Sequence, residues 1–122
     1  MVRISSILDY SNDLSIVLSK FGLVQDETLL VTQDRAGSIA ILTKLLWKEQ
    51  AYNCERMDGS EAERLAEKII CENESEDSRY FSNKASSLSD AWNPLTDSIF
   101  DSGVLISNGD GRYFCIWFED ED

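Results

Sequence analysis

Two apolar runs, Val104-Leu105-Ile106-Ser107 and Arg112 to Phe118, flank Asn108-Gly109-Asp110-Gly111. Paired glycine dipeptides between such runs specify a β-hairpin, because the turn needs backbone angles that glycine and asparagine reach without strain. The second run, Tyr113-Phe114-Cys115-Ile116-Trp117-Phe118, has no clean polar–apolar alternation. A strand of this kind is buried on both faces and lies inside a sheet, not at its edge.

The rest of the chain supplies helices and one more strand. Ile4, Ile7, Leu8, Leu14, Val17, Leu18 and Phe21 recur at spacings of three, four and seven, which predicts a helix over residues 3 to 21 with Gly22 as its C-terminal cap. Tyr10-Ser11-Asn12-Asp13 is a poor helical segment; if it breaks the helix, Leu14 to Leu18 reads as a strand. Thr28 to Thr32 reads as a strand, and Asp34 as the cap of a helix through Ile39, Leu42, Leu45, Leu46 and Glu49, with Trp47 and Tyr52 at its margin. Asp58-Gly59 signals a turn. Ser60 with Glu63 forms a capping box opening a helix through Leu65, Ala66, Ile69 and Ile70. Glu72 to Ser78 contains no apolar residue and reads as a solvated loop or frayed helix end. Tyr80, Phe81, Ala85, Leu88, Ala91 and Trp92 repeat at helical spacing as far as Asn93, where Pro94 forces an end. The expectation is one α+β domain over residues 1–122, with three or four helices packed on a small sheet. That sheet contains the C-terminal β-hairpin and the strand near Leu29.

Charge narrows the function. The chain has 23 acidic and 11 basic residues, no histidine and a formal charge of -12. Such a field repels nucleic acid and anionic membranes and attracts basic proteins; at minimum it keeps a protein soluble. The basic residues form no stripe able to displace counterions from a duplex. Without histidine, Ser-His-Asp and Cys-His arrangements are excluded, and no glycine-rich phosphate loop precedes a helix. Cys54, Cys71 and Cys115 are odd in number and widely spaced, so they read as buried reduced thiols in a cytosolic chain. No cofactor, metal or enzymatic activity is expected, and no segment at residues 1–9 has the form of a signal peptide.

Acids beside aromatics are the remaining signal. Tyr80-Phe81 follows the Glu72 to Asp77 cluster, Trp92 precedes Asp97 and Asp101, and Trp117-Phe118 precedes Glu119-Asp120-Glu121-Asp122. Aromatic anchors within an acidic surface suit a groove on a basic protein. The candidate contacts are therefore Glu72, Glu74, Glu76, Asp77, Asp97, Asp101, Glu119 and Asp120, with Tyr80 and Trp92 as anchors. In size, acidity and its ending, Gly111-Arg112-Tyr113-Phe114-Cys115-Ile116-Trp117-Phe118-Glu119-Asp120, the chain resembles the immunity proteins that bacteria encode beside polymorphic or contact-dependent toxins. The resemblance implies tight stoichiometric binding to a cognate toxin domain, often a nuclease, in the cytoplasm. It assigns no residue roles. Two alternatives stand beside it: an acidic nucleic-acid mimic that inhibits a DNA- or RNA-binding complex, and a small enzyme or metal-binding module built on carboxylates.

Overall fold

The computed structural model describes residues 1–121. Five strands form one antiparallel sheet in the order β1-β5-β4-β3-β2: β1 (Val2–Leu8), β2 (Val31–Gln33), β3 (Arg79–Ser82), β4 (Phe100–Ser107) and β5 (Arg112–Asp120). Three helices accompany it: α1 (Leu14–Lys20), α2 (Arg35–Trp47) and α3 (Gly59–Asn73). This is the expected α+β architecture with its C-terminal hairpin. β4 and β5 pair from Phe100↔Asp120 to Ser107↔Tyr113 around the glycine turn, where Gly111 has φ 88°.

The sheet is covered on both faces. Val104, Ile106, Phe114, Ile116 and Phe118 pack under Ile41, Leu42, Leu45, Ala62, Ala66 and Ile70 of α2 and α3. On the other face Leu105, Tyr113, Cys115 and Trp117 pack with Val17 and Leu18 of α1 and with Leu95. β5 is thus buried on both sides, which explains its lack of alternation. Burial holds the Cys115 thiol up at about 12, so it stays protonated. Cys54 and Cys71 are free and exposed, in contrast to the buried positions expected of them.

Four elements differ from the sequence expectation. Residues 2–8 form a strand, not the start of a helix, because their backbone is claimed by β5 from Val2↔Phe118 to Leu8↔Arg112. Tyr10 to Asp13 does break the helix, but Leu14 to Leu18 is not the strand expected after such a break: Asn12 has φ 58°, and Asp13 restarts the helix as the cap of α1 by accepting from the Ser15 amide at 3.0 Å. Gly22, at φ 77°, follows the end of α1 as expected of a C-terminal glycine. The strand expected at Thr28–Thr32 shifts to Val31–Gln33, since Asp26 accepts from the Thr28 amide and hydroxyl and winds Glu27–Leu29 into a 3-10 turn. α3 is capped by Asp58, not by a Ser60–Glu63 box; the Ser60 hydroxyl donates to the Asp58 carboxylate and is already engaged.

The largest difference is at residues 80–93, which form β3 and then an irregular segment instead of a helix. Tyr80 and Phe81 point to opposite faces of the sheet, one into each core layer. Beyond them, the hydroxyls of Ser86 and Ser89 accept from the amides of Leu88 and Ala91, giving the backbone a local alternative to a helix.

An ion pair closes the chain between β1 and α1: Lys20 Nζ lies 2.6 Å from Asp9, whose carboxylate also accepts from the Ser11 amide. Lys20 foremost, then Ser11, hold the Asp9 carboxyl down at about 2. An unfolded aspartate titrates near pH ~3.9. The depressed value therefore contributes stability above that pH, and the contribution is lost as pH falls through about 2. Urea titrations at steps from pH ~5 to ~2 should show Asp9→Asn losing less stability over this window than the parent; parallel curves would remove Asp9 from acid sensitivity.

Candidate partner-binding surface

The acidic candidates divide into exposed and enclosed sets. Glu72, Glu76, Asp77 and Asp97 are exposed. Glu72 to Asp77 sits beside the β4–β5 turn, where Asp77 approaches Gly109. Asp97 sits at the opposite end of β4, in a hollow with Arg3, Glu119 and Glu121. An eight-residue strand separates the two ends, about 25 Å at the usual rise. These acids therefore do not form one face.

The other acidic candidates are enclosed, not exposed as expected, and hold the fold together. Asp101 is fully buried, and five donors converge on its carboxylate: Asn83 Nδ2 at 2.9 Å, Leu95 N, Thr96 N and Trp117 Nε1 at 3.2 Å, and Thr96 Oγ1 at 3.0 Å. Glu119 is buried and receives Arg3 through two bonds of 2.8 and 3.2 Å, tying β1 to β5. Asp120 is buried and receives Arg56 at 2.7 Å and the Gln50 amide at 3.0 Å, which anchors residues 48–58 to the sheet. Burial pushes the Asp120 carboxyl up, but the Gln50 and Arg56 bonds outweigh it and the net direction is down. The strand therefore does not release Glu119 and Asp120 to water.

Glu74 is occupied as well. Both its oxygens lie 2.9 Å from Arg35 Nε, and the Tyr80 hydroxyl donates to it. Tyr80 is buried beneath, with burial and the Glu74 carboxylate pushing its phenol up to about 12. It is a core residue, not a surface anchor. Trp92 is half-buried and lies 5.4 Å from the Phe100 ring, in a cleft it shares with Glu49 and Asp90.

A different surface emerges on α2. Its buried side carries Ile41, Leu42, Leu45 and Leu46, yet Ala36, Ile39, Ala40, Thr43 and Trp47 line a groove on another side. These five fall at helical spacings of three and four, one stripe along the helix. Ile39 and Trp47 are partly buried against the core, while Ala36 and Ala40 are exposed, so this apolar side of α2 is only half covered. Leu88, 85% exposed, forms the far wall of the groove, while Glu63 and Glu67 of α3 line its rim with Lys44 at one end. The cavity measures about 560 Å³. The sequence did carry a sign of it: residues 36–47 hold more apolar side chains than a single core-facing stripe uses.

Among the described residues, no three Cys, Asp or Glu side chains come together as a metal-binding group, and no helix is long and apolar enough to cross a membrane. Comparison with protein-family models, with curated proteins and with solved structures found no match to this chain.

Proposed function

We propose that this chain is a toxin-neutralising immunity protein that acts by stoichiometric binding to a basic protein partner. The open apolar stripe of α2 carries the proposal. Ala36, Ile39, Ala40, Thr43 and Trp47, walled by Leu88, offer an apolar slot for an anchor side chain; Glu63 and Glu67 set the charge at its rim. The charge of -12 steers a cationic partner toward the molecule, and the slot supplies the desolvated centre that tight complexes need. The partner's matching surface is an apolar side chain flanked by lysines or arginines.

The test is co-expression with the products of the reading frames adjacent to the one for this chain, followed by affinity and rate measurements on the purified pair. The expected result is a one-to-one complex whose affinity survives moderate salt. Leu88→Glu should weaken it by about 2 kcal/mol, roughly 30-fold in Kd. Because Leu88 is so exposed, that substitution should leave folding within about 0.5 kcal/mol of the parent. Glu63→Lys with Glu67→Lys should mainly slow association. Asp97→Asn, distant from the groove, should change neither. Absence of a stoichiometric complex, or a Leu88→Glu variant that binds like the parent, would sink the proposal.

A further inference from the structure

Next to the groove lies a second concavity of opposite character. Lys44, Lys48 and Lys84 line a cleft of about 370 Å³ together with the Trp92–Phe100 aromatic pair. In a chain with twice as many acids as bases, five cations close ion pairs with carboxylates, and Arg64, Lys68 and Arg79 close none among the described residues. Arg3, Lys20, Arg35, Arg56 and Arg112 each have one within 2.6 to 2.9 Å. Among the described residues, the three cleft lysines do not. Glu49 and Asp90 line the same cleft but close no ion pair with them.

Each lysine is placed differently. Lys44 Nζ donates to the Ser87 carbonyl at 2.9 Å, which holds it at the cleft wall. Lys48 Nζ lies 4.1 Å from the centroid of the Trp47 ring. Lys84 is half-buried, and burial foremost, then the charge of Lys44, lowers its pKa. The Asp90 carboxylate offsets only part of this, and a partly desolvated cation beside a second cation, with no ion pair closed, is an arrangement that a bound anion relieves. Lysine is a point-charge donor suited to phosphate. The neighbouring aromatic pair offers a face to a planar ring, and ring stacking tolerates many bases. The cavity lies within the size range of small-molecule sites, about 300–1,000 Å³.

We propose that this cleft binds a phosphorylated planar small molecule of nucleoside monophosphate size, with its phosphate on Lys44 and Lys84 and its ring against Trp92 and Phe100. The cleft adjoins the partner groove and shares Lys44 and Ser87 with it, while Lys84, Trp92 and Phe100 belong to the cleft alone. The negative field of the whole molecule opposes any anion, so the convergence of three lysines is what makes the cleft locally permissive.

Calorimetry on the full chain with 5′-AMP, 5′-GMP, 5′-CMP and 5′-UMP tests the site, alongside adenosine and inorganic phosphate. At least one monophosphate should bind saturably at one site. Adenosine and phosphate alone should each bind at least about tenfold more weakly than the best monophosphate, since each lacks one half of the recognition. Lys84→Met and Trp92→Leu should each weaken that binding by about tenfold or more, while Lys68→Met, outside the cleft, should not. Thermal melting of each variant separates a lost site from a lost fold. No binding of any monophosphate in the millimolar range, equal binding of inorganic phosphate, or unaltered binding by folded Lys84→Met would overturn the proposal.

Discussion

Replacing Asp101 with alanine should lower stability by about 3–5 kcal/mol, the range for leaving buried charge-assisted partners unmatched. In a domain of this size that is a fall of roughly 15 °C in Tm. The carboxylate has no lysine or arginine beside it among the described residues; five hydrogen-bond donors hold its charge instead. Two of them, the amides of Leu95 and Thr96, belong to the irregular segment before β4, and Leu95 fills the core beneath α1. Losing the acceptor strands those amides and the Trp117 indole in a dry interior. Asp101→Asn should recover only part of the loss, because its amide group adds a donor where five donors already point. Thermal and urea unfolding of both variants measure the effect. A loss below about 1 kcal/mol would mean that water replaces the carboxylate at little cost.

Gly103→Ala should cost about 3 kcal/mol or more, at the upper end for overpacking a core. A Cβ there would lie 2.1 Å from the Ile116 carbonyl oxygen and 2.5 Å from the Trp117 ring. The first obstacle is backbone of the neighbouring strand, which cannot swing aside as a side chain tip does. The glycine has a specific use: without a side chain at 103, the Trp117 indole lies across β4 and reaches Asp101, two residues along the same strand. Gly109→Ala is the matched control. Its Cβ would meet only Asp77 at 3.7 Å, an ordinary contact, so the change should stay within about 0.5 kcal/mol. Equal effects at the two glycines would refute the packing account. The two core substitutions should also be strongly non-additive, since both act on the placement of Trp117.

How much of this was readable in advance varied by element. The β4–β5 hairpin was legible because its turn residues and its apolar runs gave the same answer. α2 was legible from Asp34 and its apolar period, although the capping residue of α3 was misplaced by two positions. β1 was hidden because Ile4, Ile7 and Leu8 mimic a helical period while Ser5 and Ser6 mask the alternation. Only its pairing with β5 decides the matter, and that information lies more than a hundred residues away. Residues 80–93 failed for a related reason: helical spacing on paper is overridden by Ser86 and Ser89, which bind backbone locally, and by Asn83 and Asn93, which bind carbonyls in other parts of the chain. The acidic candidates show the limit of reading charge as exposure. Glu119 and Asp120 are enclosed because Arg3 and Arg56, far along the chain, meet them, and Asp101 because amides just before it converge with Asn83 and Trp117, whereas Glu72, Glu76, Asp77 and Asp97 have the exposure expected of them. The groove went unread because its residues interleave with the core residues of the same helix.

The pairing of β1 with β5 also orders events in time. The hairpin closes over a short turn, but among the described residues the one strand beside β1 is β5, so none of its ladder bonds can form until residues beyond 111 exist. At synthesis rates of roughly 5–20 residues per second, β1 spends roughly 5 to 20 seconds unpaired on the ribosome. Closing so long a loop adds little entropy cost beyond a medium one, about 0.6 kcal/mol per doubling. Delay is therefore its main consequence: of the five described strands the first to be made is the last able to join the sheet, and Val2, Ile4 and Leu8 remain without native pairing until β5 has been made.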